Sequence, residues 1–159
     1  MNICRENNIE ITGSVYLKPA EEIKRVVNIC RKNNIEITGS IFVKSYNQLK
    51  ENIEFIKTNY DESYLLPLIV SKNIQQLMSV MPYLQELGIL ETVKKSASIL
   101  LLALDEIKER QKILEDSNQP LVLENGRYNS IFGLSKKKYA EYVKNMNNKK
   151  IKKRSIYEY

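Results

Sequence analysis

The chain contains no histidine, and that absence excludes more chemistry than any residue present invites. Ser-His-Asp and Cys-His nucleophiles, imidazole general bases and nearly all catalytic zinc sites need that side chain. Carboxylate, lysine and tyrosine chemistry stay open. Proline and glycine are scarce, at four and five residues, so long disordered or collagen-like stretches are not expected. Long apolar runs are missing too. The longest, Ile99 to Leu104, falls far short of the ~18 residues that suggest a membrane span. The first residues, Met1-Asn2-Ile3-Cys4-Arg5, show neither a basic region leading into an apolar core nor the Arg- and Ser-rich bias of a transit peptide. A cytoplasmic location is therefore expected.

What is present is ordinary for a globular protein: 159 residues, 43% hydrophobic and 28% charged, enough for one domain with a sizeable core. The organisation is less ordinary. Asn2 to Ser14 reads NICRENNIEITGS and Asn28 to Ser40 reads NICRKNNIEITGS, differing only at Glu6 against Lys32. Val15-Tyr16-Leu17-Lys18 continues the match against Ile41-Phe42-Val43-Lys44. A repeat of this length is the signature of a solenoid, in which each unit covers its neighbour's apolar face. The two cysteines, Cys4 and Cys30, fall at equivalent repeat positions. Stacked units hold such positions about 10 Å apart, too far for a disulfide, which needs its α-carbons within about 7 Å. Both are expected as buried, unbridged apolar residues.

Helical periodicity supplies the elements. Around Pro19 to Asn33, Ile23, Val26, Val27 and Cys30 fall on one face, Glu21 and Glu22 suit the helix start, and Asn33-Asn34 suits its stop. Further helices are expected over Tyr46 to Asn59, Ile74 to Leu87 with Gly88 as cap, and Asp105 to Glu115. A last one starts after Ser135 and carries Tyr139, Tyr142 and Val143. Ile35 to Phe42 reads either as a helical turn, the preferred assignment, or as a strand. The strand would make the unit an α/β leucine-rich-like repeat. Glu124-Asn125-Gly126-Arg127 predicts a tight turn, with a small hairpin around it.

The expected fold is thus an all-α, right- or left-handed α-solenoid of short helical repeats with a period of about 26–34 residues. Its units lie at about 2–27, 28–53, 54–81 and 82–111, a C-terminal cap at 112–146, and a basic, frayed tail at 147–159. From Pro82 the chain reads PYLQELGILETVKKSASILLLALDEIKERQKIL. There a helix ends in Leu84-Gln85-Glu86-Leu87-Gly88-Ile89, a shorter helix follows, and a tight turn leads into the next unit. This pattern resembles the helical repeats of the mitochondrial transcription termination factor (mTERF) family over roughly residues 42–114. Where that family opens its turn with proline, this chain has Ser96 or Ser98 before Leu100, and its first two units are shorter. The resemblance implies a curved helical solenoid of a kind that binds nucleic acid.

Charge is segregated. Met1 to Leu134 carries 16 Lys and Arg against 17 Asp and Glu, whereas nine cations follow in Ser135 to Arg154 against Glu141 alone. Those nine, Lys136, Lys137, Lys138, Lys144, Lys149, Lys150, Lys152, Lys153 and Arg154, are the candidate nucleic-acid contacts, because phosphate neutralisation dominates such binding. Tyr128, Tyr139, Tyr142, Tyr157 and Tyr159 lie among or near them and offer either stacking platforms for bases or the packed side of a terminal cap. Asp105, Glu106 and Glu109 cluster at a helix start, but Glu106 and Arg110 form an ordinary i,i+4 pair there. No nucleotide-binding loop, dinucleotide fingerprint, EF-hand or paired-cysteine spacing is present. The expectation is a non-enzyme with no catalytic residues, cofactor or metal, and two partner classes remain. One is nucleic acid, met through the lysine-rich C-terminal region. The other is a protein, met by the curved surface or an open N-terminal end. A membrane is not among them, and oligomeric state is open.

Overall fold

The computed structural model describes residues 4, 5 and 13–156, the side chains of Ser14, Tyr16 and 148–156 excepted. It is mostly helical, and among the described residues it has no strand. The short helix α1 (Gly13–Tyr16) precedes the long helix α2 (Ala20–Lys32). A 3₁₀ turn at Gly39–Val43 precedes α3 (Tyr46–Asn59), and the short α4 (Pro67–Val70) precedes α5 (Ile74–Glu86). The short α6 (Thr92–Lys95) and a 3₁₀ turn at Ala97–Leu101 precede α7 (Leu104–Asp116). A final 3₁₀ turn at Ser130–Gly133 precedes α8 (Lys136–Ile156). Each long helix from α2 to α7 packs on the next, and the turns form a second file in contact alongside them. Within the uncertain stretch, Gly39–Val43 is the helical turn preferred above, and Ile35 to Thr38 has no regular element.

Local chemistry explains where the long helices begin and end. Ser45 caps α3 through a reciprocal box with Gln48, and Asn73 accepts the Gln75 N–H at the start of α5. At their far ends, α2, α5 and α7 close alike. Asn34, Gly88 and Asn118 take left-handed backbone at φ 54°, 70° and 51°. The amide of the following residue then bonds back five positions, Ile35 to Cys30, Ile89 to Leu84 and Gln119 to Leu114. Asparagine and glycine are the residues that tolerate this geometry. The predicted turn at Glu124–Arg127 is also there, with Gly126 at φ 70° and an isolated antiparallel bridge between Val122 and Tyr128.

The long helices start at the N-caps Pro19, Ser45, Asn73, Ala103 and Ser135, whose own carbonyls accept the first helical bond, whereas the carbonyls just before the caps lie outside that ladder. The interval between these caps lengthens from 26 to 32 residues, yet one position recurs. Seven residues past the cap, the long helices carry Val26, Asn52, Val80 and Arg110, all buried. Asn52 Nδ2 donates to the carbonyls of Val70 (2.7 Å) and Lys72 (2.8 Å). Arg110 Nη1 donates to those of Ile131 (2.7 Å), Phe132 (3.3 Å) and Leu134 (2.9 Å). In both cases a buried donor on one long helix satisfies the carbonyl end of the turn one unit on. On α5, where the position is Val80, Gln76 reaches the Leu102 carbonyl instead (3.3 Å).

Cys4 and Cys30 are buried and unbridged, and burial pushes the Cys30 thiol up to about 11. An acid whose folded pKa is raised stabilises fully below its unfolded value, about 8.5, and loses that contribution as pH rises through the folded one. The stability difference between wild type and Cys30→Ala, from urea titrations, should therefore narrow by on the order of 1–2 kcal/mol between about pH 8 and pH 11. Asn52→Leu should cost about 2–3 kcal/mol, because two buried carbonyls lose their donor. Asn52→Asp should cost more in the same titration, since a carboxylate would face two acceptors. If Asn52→Asp matched the leucine variant, the donor role would be wrong.

Candidate nucleic-acid interface

Helix α8 carries the predicted cations. Lys136, Lys137 and Lys138 form its first turn, which holds no acidic residue. Three like charges there oppose the positive end of the helix dipole. One has a local counter-ion: Lys136 Nζ lies 3.3 Å from Glu106 Oε1 on α7. The other Glu106 oxygen accepts the Ala103 N–H (3.1 Å). That backbone bond first, and Lys136 second, hold the Glu106 carboxyl below the usual carboxylate range. Lys137, Lys138 and Lys144 are exposed, and among the described residues none has a carboxylate within ion-pair distance. The side chains of Lys149, Lys150, Lys152, Lys153 and Arg154 lie outside the described residues. The helix backbone itself continues through Ile156.

The tyrosines on α8 belong to its packed side. Tyr139, Tyr142, Val143 and Met146 are half-buried, spaced to face α7. Tyr139 OH donates to Glu109 (3.0 Å), and burial, with that carboxylate beside it, pushes the phenol up to about 12. The Arg110 guanidinium sits 4.5 Å from the Tyr139 ring centroid, a cation–π contact that ties α8 to α7. Ser117 Oγ donates to Met146 Sδ at 3.9 Å. Tyr128 is buried, its hydroxyl bonded with Ser96 and Ser98 and its ring edge-on to Phe132. It therefore offers no face to a base. Tyr157 and Tyr159 lie outside the described residues.

The expected ion pair between Glu106 and Arg110 is not formed. Arg110 turns inward to the three carbonyls of the next turn, while Glu106 takes Lys136 and its own helix start. The acidic cluster likewise does not converge, since Glu109 faces Tyr139. No group of His, Cys, Asp or Glu among the described residues could hold a metal ion. No helix among them is long and apolar enough to cross a membrane. Sequence reasoning missed the inward role of Arg110. The available signal was its register, seven residues past a cap, matching Asn52.

No protein-family model, curated protein or solved structure matches the chain.

Proposed function

We propose that the chain is a non-enzymatic α-solenoid of short helical repeats, mTERF-like, that binds nucleic acid through its lysine-rich C-terminal helix. The recurring order of turn, cap and long helix supports the solenoid, together with the file of packed neighbours. One observation carries the binding role: Lys136, Lys137 and Lys138 occupy a first turn whose dipole they oppose, and among the described residues only Lys136 has a counter-ion. Folding gains nothing from that arrangement. A phosphate backbone supplies the missing negative charge and releases counter-ions as it binds. Lys144 extends the surface by two turns.

A second reading, a protein-interaction module, has its own supporting observation. Leu17, Val43 and Leu101, each two residues before a helix cap, are 88%, 67% and 61% exposed. They place one bare apolar side chain at the same point in three of the turns, and exposed apolar patches mark partner sites.

Fluorescence anisotropy with labelled single-stranded and duplex oligonucleotides across a salt series separates the two. The variant Lys136→Gln/Lys137→Gln/Lys138→Gln should bind single strands more weakly, with a log–log salt slope shallower by about 2. Its folded state should be more stable by about 0.3–1 kcal/mol for each unpaired lysine removed. Equal binding by variant and wild type would overturn the role of the helix. No binding by wild type even at low salt would favour the protein-partner reading.

A further inference from the structure

A groove of about 610 Å³ runs between α2 and α3. Arg25 and Lys32 of α2 and Lys50 and Lys57 of α3 line it, against a single carboxylate, Glu54. Glu54 is already matched by Lys50 at 3.6 Å. Two of the cations are held in place rather than waving in solvent. The Arg25 guanidinium stacks 4.0 Å over the Tyr46 ring, and Lys57 Nζ crosses the groove to Asn33 Oδ1 at 3.2 Å. Lys57 also meets Glu62 at 3.5 Å, an exposed pair that competes weakly with a ligand. The corresponding clefts between α7 and α8 carry no excess of cations, with Glu109 and Lys144 lining one and Asp116 the other. Packing two long helices side by side thus makes a cleft in either place, and the one between α2 and α3 is cationic.

We infer that this groove is a binding site for phosphate esters, with Arg25 and Lys32 closing on the ligand from α2 and Lys50 and Lys57 from α3. A guanidinium already oriented by an aromatic ring presents its fork to phosphate oxygens. The flanking ammonium groups supply point charges. The groove has the volume of a small-molecule site. Its phosphate can come from a free nucleotide or from one residue of a nucleic-acid strand. The inference stands apart from the role proposed for α8, which lies at the other end of the chain.

The test uses the full chain, labelled with ¹⁵N, titrated with inorganic pyrophosphate, with a nucleoside diphosphate and with a short oligothymidylate. Amide shifts should move along the groove faces of α2 and α3. The double variant Lys32→Gln/Lys50→Gln should weaken that response about tenfold, whereas Lys137→Gln/Lys138→Gln should leave it unchanged. Both pairs are exposed, so the fold tolerates their loss. A response to the nucleoside diphosphate assigns the site to free phosphate esters, a response to the oligonucleotide alone assigns it to a strand, and a response to pyrophosphate alone would overturn the ester assignment. Shifts confined to α8, or none, would overturn the groove site while leaving the α8 proposal to its own test. Groove shifts with α8 silent toward the oligonucleotide would leave the groove site standing and count against the α8 proposal.

Discussion

The structure depends on how a long helix satisfies the backbone of the turn that follows it one unit later. The turns and the residues just before each cap leave carbonyls such as those of Val70, Lys72 and Leu134 outside the helix ladder, and stacking covers them. An unpaired buried carbonyl costs about 1–3 kcal/mol. Asn52 and Arg110 remove that cost from the side, each from the same place on its helix, seven residues past the cap. Arg110 does so with a full charge, at 1% exposure. Among the described residues it has no carboxylate partner. Three carbonyl dipoles and the Tyr139 ring stand in for one. Guanidinium, planar and weakly hydrated, suits that environment better than an ammonium would.

The same residue links the core to the proposed interface. Arg110 reaches the turn that precedes α8 and also lies against Tyr139 on α8 itself, so it sets where the lysine-rich helix starts. The clefts between α7 and α8 show that the rest of this junction is open. The described cations follow from two different causes. On α8 they are concentrated by sequence, three in a row. In the groove between α2 and α3 they are concentrated by packing, because cations distant in sequence meet across two helices.

Local features of the sequence translated well into structure. Tyr46 to Asn59 was expected as a helix and is one, end to end, because Ser45 caps it and its apolar spacing has a single period. Asn33-Asn34 and Gly88 stop their helices as expected, since each signal is a backbone preference of the residue itself. Non-local features did not translate. Glu106 and Arg110 sit four apart and so read as a pair, yet the partners Arg110 takes are 21 to 24 residues on. Tyr128 looked available because it neighbours the basic region, but the turn at Gly126 folds it back onto Ser96 and Ser98. The stretch from Ile35 to Phe42 divides: its second half forms the helical turn, and its first half has no regular element and no strand partner among the described residues. The groove cations were individually visible, but nothing in one helix shows which face of the next will lie beside it.

Native-state hydrogen exchange on wild type and Arg110→Leu tests the cross-unit constraint most directly. If the donor from α7 anchors the unit after it, protection should fall in the turn Ser130–Gly133 and in the first turns of α8, while α2 and α3 keep their wild-type values. Unchanged protection in α8, or an equal loss throughout α2 to α8, would contradict the account.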